Sequence, residues 1–143
     1  MHMSETLPPT QPVPPAAAPP ASSTRPWEVL CHLSSVSGLL GVPLGNILGP
    51  LVIWLLKRNE SLGVDAHGKE SLNFHLSWSL YAFLAGTITT ALMFVLIGFL
   101  VWPFLIIALV VGWIAMILLV IIASYKASQG ELYRYPLTIR FLN

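Results

Sequence analysis

The chain reads as an all-α polytopic membrane protein, a four-helix bundle whose first hairpin is short and broken by glycine and proline. Three observations carry this. Hydrophobic residues make up 55% of 143 residues and charged residues only 9%, far below the roughly 25% typical of soluble domains. The stretch from Leu72 to Ala123 has no charged side chain, well beyond the roughly 20 residues that span a bilayer. Four apolar segments place every basic residue on one side of a membrane, as the positive-inside rule prefers.

The first apolar segment, WEVLCHLSSVSGLLGVPLGNILGPLVIWLLKR, covers residues 27–58. As one straight helix it would overshoot a hydrocarbon core of about 30 Å. Pro43 breaks the ladder and Gly41, Gly45 and Gly49 permit a reversal. Helices over about 27–41 and 47–58 are expected, either crossing twice, re-entering, or forming one kinked helix. NESLGVDAHGKE, with two glycines, is expected as an interfacial loop. A long helix from about Ser71 to Ile97 follows, and GFLVWP makes the next turn. Pro103 suits the first turn of the last helix, which runs to about Ala127 with Gly130 as its stop. The tail ELYRYPLTIRFLN carries tyrosines and arginines suited to the headgroup level. Arg25, Lys57, Arg58, Lys69, Lys126, Arg134 and Arg140 then share a face, with both termini cytoplasmic and the protein in a bacterial inner membrane.

Residues 1–25 are expected to form a separate Pro/Ala-rich cytoplasmic tail. It lacks the basic and apolar regions of a signal peptide, and its composition favours polyproline-type or disordered conformations. The membrane domain covers 26–143. A single cysteine, Cys31, excludes an intrachain disulfide. Seven basic residues without a dense cluster make a poor surface for nucleic acid.

In GKESLNFHLSWSLY, polar and apolar residues alternate as in a strand. A lone strand in lipid leaves its backbone groups unpaired, so helix wins. At 100° per residue the alternation resolves into two faces. Glu70, Asn73, Ser77 and Tyr81 form one line, with Glu70 expected to cap the helix start. His75 and Ser79 lie on the other, which continues through the small residues Ala82, Gly86 and Thr90. Ala108 and Gly112 match them on the last helix and predict close packing of the hairpin, with contact between copies as the alternative.

His32 is the second histidine inside an apolar segment, and it could meet His75. His67 and His2 are expected in solvent. No HExxH, paired CxxC, GxSxG or Walker A pattern occurs, so no catalytic residue, metal or cofactor is assigned. The candidate polar residues within the membrane are His32, Asn46, Glu70, Asn73, His75 and Ser77.

Three blocks carry a resemblance: HLSSVSGLLGVPLGNILGPLVIWLLKRNES, HGKESLNFHLSWSLY and ASYKASQGELYRYPLTIRFLN. In this order they resemble a family of small bacterial membrane proteins of unknown function. That family is grouped with the membrane component of the chloroplast inner-envelope protein-import translocon, and some magnetosome-membrane proteins are similar to it. The resemblance implies four membrane helices with both ends on one side. It marks Pro43, Gly45, Asn46, Gly49, Pro50, Lys57, His67, Gly68, Glu70, Asn73 and Tyr133 to Pro136 as signature positions, none of them catalytic.

The expected function is a non-enzymatic membrane scaffold or assembly protein that contacts lipid and binds a second copy or a membrane partner. The alternative is a pore or transport component formed by oligomers, with Asn73 and Ser77 lining a polar vestibule. A lipid-modifying enzyme using His75 or Glu70 is the third reading.

Overall fold

The computed structural model describes residues 21–41 and 43–143. The disorder expected within 1–20 therefore lies outside the described residues. Helix α1 spans Ala21–Leu33 and runs into a 3-10 segment, Ser34–Leu40. Helices α2 (Gly45–Lys57), α3 (Leu62–Met93) and α4 (Ile97–Ser128) follow. No strand occurs among the described residues. Helix α1 begins at Ala21, inside the segment expected as tail.

The first hairpin is short, as its glycines and prolines require. A 13-residue helix is about 20 Å long, so neither α1 nor α2 matches a bilayer's hydrocarbon core. Gly41 ends the 3-10 segment at φ 81°, a conformation glycine adopts without a steric penalty. The reversal is tight: a Cβ on Gly49 would stand 2.2 Å from the Ser34 carbonyl oxygen. Ser37 Oγ bridges the bend, 2.7 Å from the Ser34 carbonyl and 2.8 Å from that of Gly45.

Helices α3 and α4 are long and apolar enough to cross a membrane. Two expected boundaries need correction. The stretch expected as an interfacial loop is helical from Leu62, because Ser61 caps α3 by accepting the Val64 N–H at 3.0 Å. Pro103 is the seventh residue of α4 rather than in its first turn. The α3–α4 turn instead occupies residues 94–96 and puts Leu96 at φ 65°.

The packed interior lies at one end of this long hairpin. On α3, burial is concentrated between Val64 and Ser77, and on α4 between Met116 and Ala127. Beyond that zone Phe83, Ile88, Phe104, Ile107 and Val111 are exposed, as side chains facing lipid require. Phe74, Met116, Ala123 and Tyr135 form the apolar core, with Trp78, Leu119 and Tyr133 against it. The Phe74 and Tyr135 rings stack at 4.0 Å.

The residues expected on the helix-packing faces lie in different surroundings. Gly112 does serve the hairpin, since a Cβ there would meet the Trp78 ring at 2.1 Å. Gly86 would meet nothing within 4 Å, and Thr90 and Ala108 are exposed. The buried residue in this region is Thr89. Ala82 is half-buried and lines a recess with Trp113 and Met116 of α4, while Gly86 has open space beside it and Thr90 is exposed.

Candidate functional site

After α4 the chain returns as an extended tail along α3, and the polar line of α3 receives it. Glu70 Oε1 accepts the Tyr135 backbone N–H at 2.7 Å. Its carboxylate also takes both ends of the Arg140 guanidinium, a two-point geometry that strengthens the pair. Asn73 Oδ1 accepts the Phe141 and Leu142 N–H groups at 2.9 and 2.8 Å, and Nδ2 donates to the Leu142 carbonyl at 2.9 Å. Ser77 Oγ accepts the Ile139 N–H at 2.8 Å while donating to the Asn73 carbonyl at 2.7 Å. Tyr81 donates to the Leu137 carbonyl at 3.0 Å. Successive turns of one helix face thus supply the partners that an extended, unpaired backbone lacks.

This revises the role of Glu70. It is not a cap, because α3 begins eight residues earlier. It is 3% exposed and anchors the tail at two points. The neighbouring carboxylate in turn raises the Arg140 pKa, through its hydrogen bond and then its charge.

A second buried group sits where α1, α3 and the tail meet. His32 Nε2 lies 3.0 Å from His67 Nδ1, and His32 Nδ1 lies 3.0 Å from the Tyr135 hydroxyl. His67 Nε2 stands 3.9 Å from Glu28. Burial, then Glu70 and Tyr133, raises the Tyr135 hydroxyl above the ordinary phenol range, so the phenol stays protonated and can donate. One tautomer set satisfies the chain: Tyr135 donates to His32, His32 donates to His67, and the remaining His67 N–H faces Glu28.

Several expectations change here. His67 is buried, not solvated. His32 pairs with His67 rather than His75. The His75 ring instead bonds through Nδ1 to the Ser71 carbonyl at 2.8 Å and meets Phe74 edge-on. Asn46 lies in the first turn of α2 against the backbone of Gly38. Among the described residues no group of three or more His, Cys, Asp or Glu is placed to hold a metal ion. The facing nitrogens of His32 and His67 are already engaged with one another.

Glu28 and Cys31 were not among the candidate site residues read from sequence, and Tyr135 was marked only as a signature position of the resemblance. A signal was present for the first two: Thr24, Glu28, Cys31, His32 and Ser35 recur at helical spacing and are all buried. The polar face of α1 turns inward. No local spacing tied Tyr135 to His32, which it reaches from 103 residues away.

No curated protein and no solved structure matches the chain. A family model described as the magnetosome magnetite crystal formation protein family matches residues 23–142, taking in all four helices and nearly all of the returning tail. The chain belongs to the MamF/MmsF family of magnetosome magnetite crystal formation proteins.

Proposed function

We propose that this protein is a non-enzymatic scaffold of the magnetosome membrane that supports magnetite crystal formation by associating with itself or with a membrane partner. The observation that carries the reading is the use made of the α3 polar line. Glu70, Asn73, Ser77 and Tyr81 hold the chain's own tail, which gives them a structural task. The buried histidines likewise join α1, α3 and the tail. The faces left for partners are those turned outward, including Ala82, Gly86 and Thr90, where small side chains let a second helix approach closely.

The test combines proximity with phenotype. Gly86→Cys is expected to yield cross-linked dimers in native membranes, or an adduct with one membrane partner. Gly86→Trp is expected to insert normally yet alter magnetite crystal size. Normal crystals with Gly86→Trp, together with no cross-link at Gly86 or Ala108, overturn the reading. Ion flux through proteoliposomes that is lost on Asn73→Leu would replace it with the pore.

A further inference from the structure

Between the first turns of α3 and the returning tail lies a recess of about 350 Å³, lined by Lys69, Glu70, Asn73, Arg134, Arg140 and Leu142 among others. We infer that this recess binds a phosphate oxyanion at the membrane surface through Arg134, Arg140 and Lys69. The inference is independent of the scaffold reading.

Charge decides what the recess can take. Glu70 is the acidic side chain in its lining, and its carboxylate is matched by Arg140. Lys69 is matched by Asp65 at 2.8 Å. Elsewhere Lys57 pairs with Glu60 and Lys126 with Glu131, while Arg58 lies over the Trp54 ring. Arg134 is exposed, and among the described residues no acidic group lies within 4.0 Å of it. Asn143 also lines the recess and makes no ion pair with either arginine. Among the described residues Arg134 is thus the cation of the recess that no carboxylate pairs within 4.0 Å, beside two that are held in place by their partners.

Position decides which anion. Lys69 and Glu70 immediately precede the charge-free run of α3, so the recess stands at the end of the apolar span, where a bilayer presents its phosphates. Arg140 is fixed by Glu70 yet remains 39% exposed, so part of the guanidinium is open to a second oxyanion. Planar guanidinium forks suit phosphate oxygens. The phosphate could belong to an anionic phospholipid or to the free ion.

The full chain, purified in neutral detergent, is offered equimolar phosphatidylglycerol and phosphatidylcholine, and retained lipid is read by native mass spectrometry. Preferential retention of phosphatidylglycerol is expected. Arg134→Gln should lower the preference roughly fivefold, the share of one basic residue near a membrane surface. Lys126→Gln, outside the recess at the end of α4, should leave it unchanged. Thermal unfolding of delipidated protein separates the sources. Stabilisation by inorganic phosphate, absent in Arg134→Gln, assigns the free ion, and stabilisation by phosphatidylglycerol alone assigns the lipid. No lipid preference together with no stabilisation by either ligand overturns the inference. So does an equal loss in Lys126→Gln, which would reduce the effect to general surface charge.

Discussion

His32 is 0% exposed and bonded on both ring nitrogens. His32→Gln breaks this link between α1, α3 and the tail and is expected to destabilise by about 1–3 kcal/mol, the cost of leaving buried polar partners unmatched. A lowered melting temperature in detergent checks it, and an unchanged one would contradict the assignment. At Glu70 the neutral isostere tests the tail anchor. Glu70→Gln is expected to destabilise by about 2 kcal/mol, below the usual cost of breaking a fully buried pair, because the freed Arg140 can turn to water. A double-mutant cycle with Arg140→Gln should recover most of that as coupling. Additive effects would place the stabilisation elsewhere.

At the scale of elements, α3 performs two tasks along its length. Its first half is buried among α1, α2, α4 and the tail, while its second half meets α4 and, through Tyr81, the tail, and is mostly exposed or half-buried. Its glycine-bearing and glycine-facing positions should respond accordingly. Gly112→Ala drives a Cβ into the Trp78 ring and should cost about 1–3 kcal/mol, as overpacking does. Gly86→Ala enters open space and should be neutral or stabilising by up to about 1 kcal/mol in the isolated chain, through helix propensity. Thermal melts of the two variants in detergent check both, and equal losses would show that α3 and α4 pack differently. The amphipathic lines of α3 were legible from spacing, because a helix places every third or fourth residue on one face. Which line meets α4 was not legible. Ala82–Gly86–Thr90 and Ala108–Gly112 have equally suitable composition, and only the relative rotation of the helices distinguishes Gly112 from Gly86.

For the whole molecule, the tail closes the structure although it contains no helix or strand. Its order rests on side chains of α3, so it should behave as part of the folded unit. Hydrogen exchange should find the Tyr135, Ile139, Phe141 and Leu142 amides protected, and Asn73→Leu should release Phe141 and Leu142 selectively. Fast exchange at all four amides in the wild type would remove the basis for this picture. The sequence by itself determined the membrane class, the helical state, the broken first hairpin and the polar line of α3. Each follows from local composition and periodicity, which bilayer thickness and backbone hydrogen bonding turn into structure. Only the tertiary structure decided what the polar line holds, that Glu70 anchors rather than caps, and that His32 meets His67 and Tyr135. Those partners lie 35 to 103 residues apart. Their meeting depends on how the helices pack and where the tail returns, and no local pattern encodes that.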